Sequence, residues 1–535
     1  MNIKKCGFGI TYNVNKNLPL KLLKRKISTD LLDKQKLVLN EDIKAEPFSP
    51  AVTVDVTKAK PYSSLPGPSR INLIRELLPK GKYSKVNMIE LNQLLRATYG
   101  DIYRIKGLFG MEDTIFTYNA QDFEIVYRNE GIWPKRIGLQ SLNYYRRNIR
   151  PEVFQGYGGL ISEQGKVWGD MRSKVNPILM KSQNIRQSLS HVDEIAQEFI
   201  KRLDSLRIEN TNEISGNFHK EVQKWAFESI TFVALNRRLG LLSDNPYSRA
   251  VNLDHDMDLL LKYAYEFDVK PSIWPYLQTR SFKHYLKICD KITDTLLYYI
   301  KEGMAEFQKS RRQEAKSILE KLLKIDERVA LVMVMDMLMA GVDTVSTALV
   351  TLLYSLAINP EKQLRLREEM CTILPSPWTR FTEDNTRTMP YMKACLKESL
   401  RMMPVTPGNM RGTVNDVVLS GYHIPANCNI MMGVMALSNT ETYFPKSDIF
   451  LPERWLKNNE STELKSKNPF VYSPFGFGPR SCIGRRIAQM EIESLVGRLV
   501  RNYHISWLGK EELRYDCEIL TKPCGEIRFK FQPIH

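Results

Sequence analysis

Residues 475–484 read Phe475-Gly476-Phe477-Gly478-Pro479-Arg480-Ser481-Cys482-Ile483-Gly484, and this stretch decides the fold. Apolar residues follow it at helical spacing from Ile487 to Val500, which predicts an amphipathic helix just after the cysteine. The Cys482 sulfur is therefore expected near a helix N-terminus. There, backbone N–H groups and the positive end of the helix dipole favour a thiolate, the species that binds metal.

Three neighbours of Cys482 suit a flat, anionic ligand. Gly478 and Gly484 leave room where a macrocycle must lie close to the backbone, and Arg480 offers a guanidinium fork for a propionate. A lone cysteine is usually a buried core residue, and that alternative would be preferred without the glycines and the arginine. With them, the stretch predicts that Cys482 is an axial metal ligand.

The spacing Phe-x-x-Gly-x-Arg-x-Cys-x-Gly resembles the haem-binding signature of the cytochrome P450 family at every fixed position. The resemblance implies a haem-thiolate monooxygenase with haem b (iron protoporphyrin IX) as cofactor and Cys482 as the iron ligand. A thiolate ligand pushes electron density onto iron and favours O–O cleavage. The implied fold is mainly α with small β-sheets, a single large domain with haem buried between two central helices.

Residues 340–344, Ala-Gly-Val-Asp-Thr, lie within a long apolar run and resemble the oxygen-activation segment of the family. In that segment an acid and an alcohol, here Asp343 and Thr344, deliver protons to dioxygen. Without that role, Thr344 would bond the carbonyl four residues earlier and Asp343 would form a buried pair.

Two further segments resemble the structural charge triad of the family, here Glu398, Arg401 and Arg454, which holds the cysteine loop. Glu398 and Arg401 stand three residues apart, a spacing that is otherwise typical of surface ion pairs. The family often has phenylalanine where this chain has Trp455, a departure that we expect the fold to tolerate.

Other residues match positions that bind the haem propionates in the family. Trp168 and Arg172 stand one helical turn apart, and Arg411 opens a β-rich patch. The alternative for the first two is a half-buried tryptophan beside a solvated arginine. The complete set predicted to bind the cofactor is Trp168, Arg172, Arg411, Phe475, Gly478, Arg480 and Cys482.

Lys393, Lys397 and Arg486 are predicted to bind an electron donor, because these positions resemble the mitochondrial branch of the family. That branch takes electrons from a small acidic iron–sulfur ferredoxin, which an NADPH-dependent flavoprotein reduces. Lysines one turn apart form a positive ridge that attracts an acidic partner, although most such lysines simply face solvent. The branch also implies a peripheral position on the matrix side of the mitochondrial inner membrane.

The first 29 residues are basic and contain no acidic residue, with leucines and an isoleucine interleaved. This composition is typical of a mitochondrial presequence, the alternative being a disordered basic tail. Residues 1–60 are therefore predicted to be presequence and linker. Residues 61–535 are predicted to be the haem-thiolate domain, which begins near the stiff turn Leu65-Pro66-Gly67-Pro68.

The composition agrees with a large globular enzyme. The chain has 535 residues, of which 43% are hydrophobic, enough for a large core. Its net charge of +17 favours an anionic partner, but the spread of basic residues and the absence of a nucleic-acid motif disfavour DNA or RNA.

The cysteines show neither CxxC pairs nor disulfide density, which favours a reducing compartment. They are Cys6, Cys289, Cys371, Cys395, Cys428, Cys482, Cys517 and Cys524.

Hydrophobic periodicity predicts several elements. A hairpin is expected over residues 100–118, helices over 188–206 and 282–307, a β-rich patch over 411–435, and a final hairpin that turns at 523–525. The apolar run 329–357 is long enough to span a membrane. Asp336 and Asp343 within it favour a helix buried in the protein instead.

Residues 335–340 and 403–411 resemble the arthropod mitochondrial group associated with detoxification, so oxidation of xenobiotics is favoured over hormone metabolism. Four alternatives remain open: an ecdysteroid-type steroid hydroxylase, a haem-thiolate isomerase, a haem sensor and a membrane-spanning structural protein. The hydrophobic substrate is expected to contact residues 131–159, 227–274 and 404–408 together with Val345.

Overall fold

The computed structural model describes residues 58–534, with gaps at residues 79, 85, 215, 244–248, 310–314, 316, 458–462, 465 and 467. The predicted presequence lies outside the described residues. The α-helices are α1 (Arg70–Leu77), α2 (Met88–Tyr99), α3 (Ala120–Arg128), α4 (Gln140–Tyr144), α5 (Pro151–Phe154), α6 (Gly159–Ser162), α7 (Gly165–Leu179), α8 (Ser182–Arg186), α9 (Leu189–Leu206), α10 (Phe218–Leu235), α11 (Leu253–Ala264), α12 (Arg280–Lys309), α13 (Ile318–Leu323), α14 (Glu327–Ala357), α15 (Pro360–Ile373), α16 (Glu383–Arg387), α17 (Pro390–Met402), α18 (Val434–Ser438) and α19 (Arg485–Asn502).

The strands of the described residues form four small sheets. They are β1 (Ile102–Ile105), β2 (Thr114–Thr117), β3 (Asn409–Arg411), β4 (Val417–Leu419), β5 (Tyr422–Ile424), β6 (Asn429–Met432), β7 (Tyr503–Trp507), β8 (Arg514–Cys517), β9 (Thr521–Cys524) and β10 (Phe529–Pro533). The largest sheet has the order β1-β2-β6-β3, in which β2 and β6 are parallel. The other pairs, β4–β5, β8–β9 and β7–β10, are antiparallel hairpins or ribbons. The fold is therefore mainly α with small sheets, as predicted.

Helix α14 runs through the core. It packs against α10, α13, α17 and α19, and Asp326 caps its first turn. Among the described residues it is the one helix long and apolar enough to cross a membrane, but 72% of its most apolar window is buried inside the protein. The two acids of its apolar stretch are paired, Asp336 with Arg146 at 2.7 Å and Asp343 with Lys522 at 2.8 Å. The prediction of a buried helix is confirmed.

Most predicted elements occur where the periodicity placed them. The hairpin over residues 100–118 is β1–β2, in which Tyr103 pairs with Phe116. The helices predicted over 188–206 and 282–307 are α9 and α12, and the helix after the cysteine is α19. The patch over 411–435 contains strands β4–β6, and β3 ends at its first residue.

The predicted final hairpin was wrong. The chain turns at residues 518–520, between β8 and β9, so that Cys524 pairs with Arg514. Phe529 and Phe531 instead pair with Trp507 and Ile505 of β7, which follows α19 directly. Both phenylalanines are at most 1% exposed. Burial against β7 outweighs the nearness of β9 in the sequence.

Candidate active site

A cavity of about 1990 Å³ lies between α14 and the loop before α19. One face of α14 lines it, including Gly341, Thr344 and Val345, and Phe475 and Cys482 line it from the loop. The volume exceeds the roughly 300–1,000 Å³ of ordinary small-molecule pockets. The cavity can therefore hold a large cofactor together with a substrate.

Cys482 lies deep in the protein, yet its side chain is open to this cavity. Its N–H donates to the carbonyl of Phe475 at 2.8 Å, which fixes the loop over the cavity. Burial raises the pKa of the Cys482 thiol, while the N–H of Gly484 and the charges of Arg172 and Arg136 oppose that rise. The N–H of Gly484, the residue that precedes α19, therefore favours the thiolate, against the effect of burial. The positive charge of a metal would stabilise the thiolate.

Gly478 is required by the backbone of the cysteine loop. It does not line the cavity, and its backbone adopts φ +68°, in the left-handed region that favours glycine. A Cβ there would lie 2.1 Å from Glu130 Oε1. The glycine is therefore required by the turn and by Glu130, and its role in making room for the cofactor stays a prediction.

The structure brings together four arginines that line the cavity beside Cys482: Arg136, Arg172, Arg411 and Arg480. Arg480 is buried, stacks on Trp168 with its Cζ 3.8 Å from the ring centroid, and donates to the carbonyl of Glu163 at 2.9 Å. Its Nη1 is buried without a partner. Arg172 donates to the carbonyl of Ser481 at 2.9 Å, and its Nε is also unpartnered.

Electrostatics show that this arginine cluster suits an anion. Burial and the neighbouring guanidinium groups lower the pKa of Arg480 to about 8. Burial likewise lowers the pKa of Arg136 and of Arg172 to about 10. Arg411 pairs with Glu130 at 2.6 Å, and burial raises the pKa of that carboxyl to about 7. Unpartnered guanidinium donors and excess positive charge fit the two carboxylates of haem.

Sequence reasoning did not find Arg136. It lies in the loop before α4, where it matches no motif quoted above, and donates long hydrogen bonds of 3.5 and 3.4 Å to the carbonyls of Leu160 and Ile161. Only the folded arrangement shows that it faces the same space as Arg480. It joins the residues that could hold the cofactor.

Thr344 and Asp343 point to different places. Thr344 lines the cavity, and its hydroxyl donates to the carbonyl of Ala340 at 2.8 Å. Asp343 does not line the cavity. Its carboxylate accepts hydrogen bonds from Gln223 at 2.7 Å and from Lys522 at 2.8 Å. Both alternatives weighed from the sequence, the helix back-bond and the buried pair, are therefore present, and a direct relay between the two side chains is not assembled.

Glu398 is the centre of a buried polar network. It accepts from Arg401 at 2.9 and 3.0 Å and from Arg454 at 2.9 Å, and all three side chains are fully buried. Trp455 donates its indole N–H to the same carboxylate at 2.8 Å, a contact that phenylalanine could not make. The Trp455 ring in turn lies 4.4 Å from that of Tyr472, so the network extends towards the cysteine loop.

The predicted donor-binding residues lie on α17 and α19. Lys393 donates to the carbonyls of Thr386 and Arg387, and Lys397 lies 5.9 Å from the centroid of the Trp455 ring. Lys393, Lys397 and Arg486 are each half-buried. Burial raises the pKa of the Glu493 carboxyl to about 7, and the positive charges of Lys393 and Lys397 oppose that rise. The structure thus places the two lysines beside α19, the helix that begins after Cys482.

Comparison with known proteins agrees with this geometry. The family model described as "Cytochrome P450" matches residues 65–531. "Probable cytochrome P450 12b2, mitochondrial" of Drosophila melanogaster is 50% identical over 483 residues, which cover 89% of this chain and 90% of the relative. "Cytochrome P450 CYP12A2" of Musca domestica is 40% identical over 502 residues, which cover 90% of this chain and 93% of that relative.

A solved structure shows the same fold. The crystal structure of the cytochrome P450DA heme domain superimposes with a TM-score of 0.71 at 17% identity, covering 89% of this chain and 98% of that one. The family model spans most of the chain, and the cavity presents a cysteine opposite a long buried helix and beside an arginine cluster. The chain therefore belongs to the cytochrome P450 family and is a haem-thiolate monooxygenase whose cofactor is iron protoporphyrin IX.

Proposed function

We propose that this enzyme inserts one atom of dioxygen into hydrophobic foreign compounds, with electrons that pass from NADPH through a ferredoxin reductase and a ferredoxin. The observation that carries the proposal is the cavity, which joins Cys482 on one wall to Thr344 and apolar side chains on the other. Residues 335–340 and 403–411, which resemble the arthropod mitochondrial group associated with detoxification, favour varied foreign molecules over one hormone. The basic N-terminal segment and the relatives named mitochondrial support a mitochondrial location.

Bound haem would supply the activation of dioxygen. The residues of the chain would hold and orient the haem and supply protons. We assign Cys482 as the iron ligand, with Phe475 holding the cysteine loop through its carbonyl. The arginine cluster and Trp168 bind and orient the propionates. The Thr344 hydroxyl holds a proton at the cavity wall. Asp343 can supply protons to the cavity only when its pair with Lys522 opens.

Thr344→Ala should uncouple the reaction. Loss of the hydroxyl removes the group that holds a proton at the cavity wall. We expect the ratio of product to NADPH consumed to fall by about tenfold or more, with peroxide released, since positioned proton donors contribute about 10²-fold or more. Thr347→Ala, one turn along α14 and buried away from the cavity, is the matched control. Unchanged coupling in Thr344→Ala would count against the assignment.

The double variant Lys393→Gln/Lys397→Gln should weaken use of the ferredoxin. Removing two charges from a positive ridge lowers the rate of encounter with an acidic donor. We expect the KM for ferredoxin to rise on the order of tenfold, with a smaller change in kcat and less difference at high salt. Lys287→Gln, exposed on α12, is the control. An equal effect in the control would remove the lysines from the donor site.

The mouth of the cavity supports peripheral contact with a membrane. Leu78, Phe109 and Tyr276 line the cavity and are 55%, 51% and 74% exposed. Exposed apolar side chains that lie together mark membrane or protein contacts. We propose that this rim rests on the matrix side of the inner membrane, where a hydrophobic substrate would be dissolved.

Turnover with a reconstituted donor chain tests the proposal. Purified holoenzyme with ferredoxin, its reductase and NADPH is supplied with unrelated foreign apolar compounds or with ecdysteroid-type steroids. Oxygenated products from the foreign compounds support the proposal. Efficient turnover of the steroids alone would favour the second candidate, a steroid hydroxylase of the same branch. Conversion without NADPH would indicate a haem-thiolate isomerase.

A further inference from the structure

Methionines line part of the cavity wall on α14, the helix that also carries Thr344. Met333 and Met337 stand one turn apart on the face of α14 that continues to Gly341 and Thr344. Met257 contributes from α11, beside Leu260. The three methionines are 2%, 7% and 4% exposed in total and line the cavity. Two different helices therefore present unbranched, flexible side chains to the substrate space.

The largest sheet presents a second methionine wall. Met410 of β3 pairs with Met431 of β6, which in turn pairs with Phe116 of β2. All three line the cavity, so they form one row across the sheet. A Cβ at Gly408 would lie 3.1 Å from the Met431 sulfur. The absence of a side chain at Gly408 leaves Met431 room to change rotamer.

Two carboxylates that line the cavity, those of Asp336 and Asp268, already have partners. Asp336 lies between Met333 and Met337 in the sequence of α14, but it accepts from Arg146 at 2.7 Å and from the N–H of Leu160 at 2.6 Å. Asp268 lines the cavity and accepts from the N–H and the hydroxyl of Ser141 at 2.9 and 2.6 Å. These two carboxylates are therefore not free to bind a cationic group.

We infer that Met257, Met333, Met337, Met410 and Met431 determine specificity by adapting to the bound molecule, so that the enzyme binds neutral apolar compounds of unrelated shape with similar affinity. This inference rests on the proposed function and deepens it. A methionine has three rotatable bonds and a polarizable sulfur, and it repacks around a new shape more easily than leucine or isoleucine does. Methionine-rich surfaces are a recurrent means of promiscuous binding.

Optical titration of the ferric holoenzyme tests the inference. Four neutral apolar probes of similar mass are compared through the shift of the Soret band: a rigid steroid, a linear ester, a fused-ring aromatic and a globular terpenoid. For the native protein we expect dissociation constants within about tenfold of one another. Met257→Leu/Met333→Leu/Met337→Leu keeps the volume but reduces rotamer freedom. In this triple variant we expect the dissociation constants of the four probes to differ by about 100-fold or more, with the constants of some probes nearly unchanged.

Met335→Leu is the matched control, since Met335 is on the same helix and 1% exposed but does not line this cavity. It should leave all four constants unchanged. If the triple variant fails to bind haem, the same titration is carried out on the double variant Met410→Leu/Met431→Leu.

Two results would overturn the inference. The first is that the native protein binds one probe about 100-fold tighter than the rest. The second is that the spread of the four dissociation constants stays unchanged in both leucine variants. A native protein that gives no thiolate-type spectrum with CO would contradict the proposed function instead.

Discussion

We expect Cys482→Ala to abolish oxygenation, because the variant has no sulfur to ligate the iron and to push electron density towards dioxygen. The expected spectral result is the loss of the red-shifted Soret band that marks a thiolate-ligated ferrous–CO complex. Turnover with NADPH, ferredoxin and reductase should fall below detection. Retained turnover would contradict the assignment of Cys482 as the ligand.

The control for this experiment is Cys371→Ser, since Cys371 is exposed and does not line the cavity. It should keep both the spectrum and the activity. The four arginines are untouched in either variant, so we expect Cys482→Ala to retain part of its haem through the propionates. Retained haem in Cys482→Ala would show that the variant has lost the sulfur ligand but not the fold.

The second large effect is expected from Glu398→Ala. This variant leaves the guanidinium groups of Arg401 and Arg454 fully buried without their carboxylate. Removing one partner of a buried ion pair typically costs about 3–5 kcal/mol of stability. The urea midpoint for unfolding should fall accordingly, and haem should be lost earlier in the titration, because the network reaches Tyr472 beside the cysteine loop.

Glu124→Ala is the matched control for this second prediction. Glu124 also pairs with an arginine on its own helix, Arg128 at 2.6 Å, but both side chains are at least one-third exposed. Exposed pairs contribute at most about 1 kcal/mol, so the urea midpoint should hardly move. Similar losses in the two variants would mean that the buried triad contributes no more than an ordinary surface pair.

Local rules account for what the sequence predicted correctly. Helix α9 was found because its apolar residues recur with the period of a helix, and burial of that face fixes the element. The cysteine loop was found because its spacing resembles the haem-binding signature of the family. Both signals lie within one short segment, where a single sequence displays them.

Contacts between distant parts of the chain account for what was missed. Arg480 and Pro134 are 346 residues apart, and only their contact brings Arg136 to the same space. Lys522 meets Asp343 across 179 residues, and Trp455 meets Glu398 across 57. Nothing in the local composition around these residues specifies a partner so far away. The same reason explains why β10 was assigned to the wrong neighbour.

The arginine cluster makes the stability of the folded chain depend on its prosthetic group. Arg136 and Arg172 come from the first third of the chain, Arg411 and Arg480 from its last quarter, and their like charges repel across the site. We propose that haem is the counter-ion that ties the two regions together, so that its binding to the folded chain stabilises the folded state by mass action. We expect newly imported chains to be cleared by proteases when haem is scarce, so that the abundance of the enzyme follows haem synthesis.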